Sequence, residues 1–580
     1  MGGLDPDPAS PMTTERYKAW LALTIYAVAY FALLYHPGLI RLDDFGYLRS
    51  VAETFAAGRP HTDGWLEPYS AFTSSLCALA YLATGDFPLA TWGLQSLFVI
   101  GNAILLRRWL RTRMGAGAAT LLALALVSVP PYAHKCSEFA GNVWTLFCVL
   151  LALAAWRARK WGWFYAVTFL ALANRQNAVA LLALPAWESL APFLPDNLPD
   201  NLPGNLRGTQ PGKNPQRAIL IGGAIFLVAA AGLHLSMNHT AAQVLGIYGG
   251  FPAGGWGAFL RTQGFGLFAA LALLSALGWL TGDSPLANLR GNRARPALPL
   301  IATAAFVLLA VLSPLPLFSF LTPLLGSLDR GFQMQFLTLA VIPILLWTLD
   351  WRQLQPDAPL AVFAAFTFLS GLKGYWYDFY LIDVAVGALC FRLTRPVARE
   401  PGRLGRGLAW ALLAFGCIWA VGYKVLCDKQ RLSIFVYEKL ERAGRIAPPD
   451  MTDGTFGYLG WKLAGPFNDL DRHQDLAGFQ GFVMLDQVVL ETEAPWRRSF
   501  KRGPVPAAEI IEEGKARIGW MDLRYRVLDL HGSPPVSLGG RAAPIPFDTA
   551  GYRPDPYPLD AREWDLYIRA LQARGLQNGH

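Results

Sequence analysis

The stretch Arg41-Leu42-Asp43-Asp44-Phe45-Gly46-Tyr47-Leu48 follows the first apolar segment of the chain and places two adjacent carboxylates where that segment ends. Which side of a bilayer the pair faces decides how everything downstream is threaded. Phe45, Leu48, Ala52 and Phe55 continue at helical spacing, so one Asp can serve as an N-cap while its neighbour, roughly 100° away around the helix, points elsewhere.

The bilayer itself is implied by composition. Of 580 residues 53% are hydrophobic and only 16% charged, and the mean hydropathy is +0.30. Soluble chains carry about 25% charged residues. Apolar runs long enough to cross a bilayer, about 17–25 residues, recur from Tyr17 to about Cys427. From Asp428 to His580 the chain is polar and rich in Pro and Gly, which predicts a separate small α/β domain. Strand-like pieces occur there at Phe482-Val-Met-Leu and Tyr525-Arg-Val-Leu, and Asp560 with Glu563 forms a capping box for a last helix.

The net charge of +9 comes from short basic clusters between apolar runs, the pattern of cytoplasmic loops, and does not signal nucleic acid. All six cysteines lie in or beside apolar segments, with neither a disulfide framework nor a metal spacing. His36 and His61 have no ligand-spaced partners, so no metal site is assigned.

The clusters Arg107-Arg108/Arg111/Arg113, Arg157/Arg159/Lys160, Arg290/Arg293/Arg295 and Arg392/Arg395/Arg399/Arg403/Arg406 fix topology by parity: if all are cytoplasmic, crossings between neighbouring clusters come in even numbers. Tyr69–Gly85 then lies along the outer interface, with Ser70, Thr73, Ser74 and Ser75 toward polar groups, and 37–86 is one long external loop. Trp161–Leu190 must go out and return. Each arm has about 14 residues, roughly 20 Å of helix against an apolar core of about 30 Å. Its turn, Asn174-Arg175-Gln176-Asn177, is therefore expected below the outer surface, in a cavity rather than in lipid.

The expected fold is thus a polytopic α-helical membrane domain, residues 1–427, of about 13 transmembrane helices, followed by an extracytoplasmic domain, 428–580. The N-terminus is expected inside and the C-terminal domain outside. Outer loops are expected at His134-Lys135, Asn238–Gln263, Phe318–Arg330 and Lys373–Asp378.

A carboxylate of the Asp43-Asp44 pair, against apolar walls, can act as general base on a hydroxyl. Arg175 reads either as a snorkelling side chain or as a buried guanidinium that wants an anionic partner, such as a phosphate. His134, Lys135, Arg330 and Lys373 are ordinary loop charges singly, or a ring of cations around a phosphate collectively. Trp65, Tyr69, Tyr375, Trp376 and Tyr377 read as interfacial aromatics or as platforms for a sugar.

The first-loop text, Asp43-Asp44-Phe45-Gly46-Tyr47, then Ala52, Ala57-Gly58 and Glu67-Pro68-Tyr69-Ser70, resembles the GT-C glycosyltransferases. Within them it is similar to the protein O-mannosyltransferase and lipid A aminoarabinose transferase branch and to the arabinofuranosyltransferases, with Pro68 where the last branch has Gly. Arg175 falls where the family carries a cation after its fifth span. Arg330 resembles its Arg-Tyr, with Gly331 in place of Tyr. Asp453-Gly-Thr-Phe-Gly-Tyr458 resembles a tail motif of relatives.

The resemblance implies an inverting transfer of one sugar from a polyprenyl-phosphate donor to a hydroxyl of a glycan, lipid or protein, on the outer face of a bacterial inner membrane. Asp43 would be the base and Asp44 an orienter. Arg175, Lys135, His134, Arg330 and Lys373 would bind the donor phosphate, and Glu67, Tyr69, Asn174, Gln176, Tyr375 and Trp376 the substrates. No cofactor is implied, with a divalent cation left open. A polyprenyl-diphosphate glycan ligase or polymerase predicts instead a large late loop rich in Arg and His. A flippase predicts internal repeats and charges at mid-membrane.

Overall fold

The computed structural model describes residues 11–34, 42–59, 71–112, 114–129, 141–190, 215–236, 255–312, 330–354, 357–371, 381–394, 401–418, 482–486, 509–518, 521–529 and 546–548, and isolated positions at 132–133, 136, 139, 443–444 and 569. Its helices are α1 (Pro11–Leu34), α2 (Leu42–Ala57), α3 (Ala71–Thr84), α4 (Leu94–Arg111, entered through a π-turn at Leu89–Gly93) and α5 (Ala116–Val127). There follow α6 (Gly141–Arg157), α7 (Trp161–Leu172), a 3-10 segment (Gln176–Leu182) running into α8 (Ala183–Leu190), α9 (Pro215–Ser236) and α10 (Gly255–Leu280). The last are α11 (Pro285–Ala294), α12 (Ala297–Leu312), α13 (Arg330–Thr348), α14 (Ala358–Gly371), α15 (Leu381–Thr394) and α16 (403–418).

Among the described residues, Leu89–Arg111 and Phe259–Leu280 are each long and apolar enough to cross a bilayer, and the pair α11–α12, bent by 102°, adds a third if it is one span. Shorter apolar helices make up most of the rest. Apolar side chains project outward from α1 (Ile25, Val28), α9 (Ile225, Val228) and α12 (Ile301, Leu308), a surface suited to lipid tails.

Two expected boundaries differ. The segment Asn238–Gln263 was expected to be an outer loop, but α10 already begins at Gly255, because Trp256, Phe259 and Leu260 extend the apolar helix N-terminally past Arg261 and Gln263. The basic run Arg290/Arg293/Arg295 lies largely on a helix of its own, α11, capped by Ser284, which accepts from the Ala287 N–H, with Pro285 at the first turn. Its arginines stay exposed while Asn292 turns inward and donates to the Trp347 and Leu349 carbonyls (2.7 and 2.9 Å).

The contacts order the helix ends. Arg107, near the end of α4, lies over the ring of Trp20 at 5.4 Å, so the early part of α1 meets the end of α4. Arg157, ending α6, lies over Trp109 at 4.8 Å. Glu188 of α8 accepts from Trp156 and pairs with Arg159. Arg392, in the last turn of α15, pairs with Asp283 just beyond α10 at 3.0 Å. Asn288 of α11 reaches the carbonyl of Thr348 at the end of α13. Asn142 and Asp383, at the starts of α6 and α15, also meet, so these two helices run in the same sense. Arg107, Arg157, Arg159 and Arg392 therefore gather at one end of the helix body, the grouping that parity requires. Trp161–Leu190 leaves that end through α7 and returns through the 3-10 segment and α8, its return arm being partly 3-10 rather than fully α.

Aromatic packing lies beside the starts of α3, α4 and α6. Phe98 of α4 stacks on Trp144 of α6 (4.1 Å), and Phe72 and Phe139 meet Trp144 edge-on. Two helix pairs approach closely: a Cβ at Gly387 would lie 3.3 Å from the Phe363 Cα, and one at Gly405 would lie 2.7 Å from the Trp279 carbonyl oxygen.

Residues 482–548 hold a four-stranded sheet of β1 (Phe482–Asp486), β2 (Glu509–Ile518), β3 (Met521–Asp529) and β4 (Pro546–Asp548), in the order β1-β3-β2-β4. β3 pairs antiparallel with both β1 and β2, and β4 is parallel to β2. Both stretches read as strand-like are strands. The expected helix after Asp560 lies outside the described residues.

Trp144 is fully buried and holds three aromatic neighbours, so Trp144→Ala should destabilise the helix body by about 3–5 kcal/mol. Denaturant titration in detergent, followed by the remaining tryptophans, measures it.

Candidate functional site

The candidate site is assembled around the turn that ends α7. The Asn174 and Arg175 N–H groups both close back on the Ala171 carbonyl (3.2 and 2.9 Å), after which Arg175 swings to an extended backbone (φ −152°, ψ 132°) and starts the 3-10 segment. That break turns consecutive side chains in different directions. Asn174 donates to the Gly141 carbonyl (2.5 Å) and the Thr145 hydroxyl (3.0 Å) of α6, and its Oδ1 accepts from the Thr73 hydroxyl of α3. A Cβ on Gly141 would come within 3.2 Å of the Asn174 Nδ2, so a glycine lets the amide dock. The Phe72 N–H adds a bond to the Ala173 carbonyl (3.2 Å). The start of α3 is thus tied to the turn by one backbone and one side-chain bond.

Arg175 points the other way. Its Nη1 donates to Asn142 Oδ1 (2.8 Å) and its Nη2 to Asp383 Oδ2 (3.1 Å), with side-chain exposures of 7% for Arg175 and 4% for Asp383. Asp383 also accepts from Asn177 (2.7 Å) and Asn142 (3.4 Å), and Asn177 reaches the Ser370 hydroxyl at the end of α14 (3.1 Å). Four pieces of chain meet here: the start of α6, the turn, the end of α14 and the start of α15. A buried guanidinium is tolerable only with a charge partner and further hydrogen bonds, and both are present.

Where a cavity and a phosphate were expected, Asn174 and Arg175 are buried against neighbouring helices, and the anion beside Arg175 is an internal carboxylate. Asp383, Asn142 and Ser370 were not singled out from the sequence. The usable signal was Asp383 itself, a lone acid inside the apolar run 380–391, since an ionisable residue there calls for a named partner. Of the hydroxyls read as facing polar groups, Thr73 does so, whereas the buried Ser74 Oγ has no hydrogen-bond partner among the described residues. Gln176 begins the 3-10 segment, its Nε2 buried without a hydrogen-bond partner among the described residues.

Asp43 and Asp44 occupy the first turn of α2 and Arg330 is the first residue of α13; their side chains lie outside the described residues. His134, Lys135, Glu67, Tyr69, Lys373, Tyr375 and Trp376 also lie outside them. Their flanking helix ends can still be placed. α3 and α6 begin at the Asn174–Arg175 turn, α14 ends and α15 begins there, and α13 starts at the end away from Thr348. α1 runs away from the basic end, and seven residues separate its last residue from the first of α2. Among the described residues no cluster of His, Cys, Asp and Glu has metal-binding geometry.

No family model matches the chain, and no curated protein matches it. Two solved structures align with it along most of its length, both of ArnT from Cupriavidus metallidurans. The apo form is 16% identical, with 90% of this chain and 100% of that chain covered and a TM-score of 0.38. The form bound to undecaprenyl phosphate is 15% identical, with 90% and 98% covered and a TM-score of 0.36. Similarity at this level does not by itself define a common fold.

Removing one partner of a buried pair strands the other charge, which costs about 3–5 kcal/mol, whereas an apolar replacement of both is often nearly neutral. Arg175→Met should therefore lower the melting temperature strongly, and Arg175→Met with Asp383→Leu should recover most of the loss. Thermal unfolding of the single and double variants in detergent checks this.

Proposed function

We propose that the chain is an integral membrane glycosyltransferase of the GT-C type. It would transfer a single sugar, an arabinofuranose or another pentose or hexose, from a polyprenyl-monophosphate carrier to a hydroxyl acceptor, with inversion, on the outer face of the membrane. The observation that carries the reading is convergence. The start of α3, within the first loop, and the helix ends flanking His134-Lys135, Arg330 and Lys373–Trp376 lie at the same end of the helix body as the buried Arg175 turn, away from the gathered basic ends, and α1, which leads to Asp43-Asp44, runs toward that end.

In the proposed reaction the acceptor oxygen attacks the anomeric carbon as the bond from that carbon to the phosphate oxygen breaks. The acceptor proton passes to Asp43 and the polyprenyl phosphate leaves with the bonding electrons. Asp44 orients the acceptor or caps α2. General-base help is worth about 10²–10⁴-fold, and holding both reactants in line contributes further. Cations at the departing phosphate stabilise the charge that develops there. Since Asp383 is already beside Arg175, we assign to Arg175 the geometry of this wall and to Lys135, His134, Arg330 and Lys373 the larger share of the phosphate's charge. Glu67, Tyr69, Gln176, Tyr375 and Trp376 would line the sugar and acceptor positions; Asn174, expected among them, is buried with its amide committed to Gly141, Thr145 and Thr73, and holds the turn instead. Residues 428–580 would form a separate domain on the same outer face, and about 13 helices of 1–427 would span the membrane with the N-terminus inside.

The test is transfer of radiolabelled sugar from a polyprenyl-monophosphate donor in membranes carrying the protein. Asp43→Asn should lower the rate by about 10²-fold or more with the protein still folded, and Asp44→Asn should lower it less. If both variants kept full transfer, the assignment of the base would be wrong; net movement of the donor across sealed vesicles without transfer would favour a flippase.

A further inference from the structure

A chain of contacts runs from α15 to the start of α3. Asp383 holds Arg175 Nη2 and Asn177 on either side of the turn; the neighbouring Asn174 holds Thr73, and the Ala173 carbonyl holds the Phe72 N–H. Asp383 and Thr73 are more than three hundred residues apart in sequence, yet only the 173–177 turn separates them in this relay. Asp383 is the one acid within this mesh of amides, hydroxyls and carbonyls among the contacts described above. The turn is a break between α7 and a 3-10 segment, and 3-10 geometry is the weaker of the two helical forms.

We propose that Asp383 is a positioning residue. Through Arg175 and the 173–177 turn it fixes the start of α3, which closes the loop that Asp43 and Asp44 open. Its role in sugar transfer rests on the transferase reading above; the mechanical linkage does not. Asp383 touches no reacting atom in this scheme. Neutralising it removes the charge that holds Arg175 Nη2 and the acceptor that holds Asn177, loosening both sides of the turn at once. The docking of Asn174 on Gly141, Thr145 and Thr73 tolerates little movement, because the Gly141 backbone is already at close approach to the amide.

The linkage is read by hydrogen exchange on the full-length protein in detergent, with the isosteric Asp383→Asn. Exchange in the peptide spanning 71–76 should rise by about ten-fold, the scale of losing one hydrogen-bond constraint. The α6 residues near Arg157 should keep wild-type exchange. Unchanged exchange at 71–76 with a rise confined to 381–386 would overturn the proposal. If Asp383→Asn does not fold, Thr73→Val severs the last side-chain link alone. It should raise exchange at 71–76, and no rise there would equally overturn the linkage.

The catalytic arm uses the lipid-linked donor in membranes. Asp383→Asn should lower kcat by up to about 10²-fold, the cost of displacing reactants by an ångström, with little change in donor KM, and Asp383→Glu should recover part of kcat. A raised donor KM at constant kcat would instead make Asp383 part of donor binding and overturn the positioning role. A wild-type protein that transfers nothing from any supplied donor would overturn the transferase reading, while the exchange result would still decide the linkage.

Discussion

A guanidinium buried among apolar helices has to be neutralised where it stands, and the Arg175–Asp383 pair is how this chain does it. A charge placed in a low-dielectric interior costs several kcal/mol even after relaxation, recovered only by good geometry and additional hydrogen bonds. Asn142 and Asn177 supply those bonds, each touching one or both members of the pair. The consequence is architectural. Once Arg175 must meet Asp383, α7 has to break where it does, α15 must start beside α6, and α14 must end close enough for Ser370 to reach Asn177. Apolar packing such as Phe98 on Trp144 contributes cohesion, but it is tolerant of sliding, whereas the polar cluster fixes register.

The parts of this arrangement that could be read from the sequence are those in which signal and consequence lie close together. The Asn174–Asn177 turn announced itself by four polar residues in an apolar run, and arms too short to cross a bilayer placed it below the outer surface and out of lipid. Thr73 was legible from the hydroxyl-rich face of α3. The grouping of basic clusters was assumed from their loop-like charge pattern, and counting then gave the out-and-back path of Trp161–Leu190. The partner of Arg175 was harder, because it lies 208 residues away and periodicity carries no pairing information over that distance. Boundaries failed where local composition misleads. Arg261 and Gln263 made 255–263 look like loop, yet an apolar helix tolerates polar residues near its end when they find partners, as Gln263 does at the Phe368 carbonyl. Likewise the basic run at Arg290 looked like a plain connection, although Ser284 and Pro285 are a helix-start signal.

The two ends of the helix body handle charge differently. At the basic end the cations are held one by one. Arg107 donates to Thr120 and lies over Trp20, Arg157 lies over Trp109, Arg159 pairs with Glu188, and Arg392 with Asp283. These contacts sit on separate helices, and each anchors a long side chain beside an aromatic or a single acid. At the opposite end one charge pair is embedded in a mesh of amides and hydroxyls shared by several helices. A mesh of that kind is costly if half-made and rigid if complete. Rigidity is what a reacting group needs from its surroundings, and it is concentrated at the end where the first loop returns to the helix body.

That distribution also constrains how a phosphate could be handled there. If Arg175 stood alone, an arriving lipid phosphate would bind it tightly, and the same attraction would hold the departing phosphate after transfer, slowing release. With Asp383 beside it, the guanidinium keeps its donors in a fixed fan while its net charge is largely cancelled. Charge that stabilises a departing group is then better supplied by cations nearer to solvent, where screening weakens the attraction once the bond has broken. In the proposed transfer, tight geometry from a neutralised buried pair, combined with moderate attraction from more loosely held cations, would favour the transition state over the product. Catalysis depends on that difference and not on the total strength of binding.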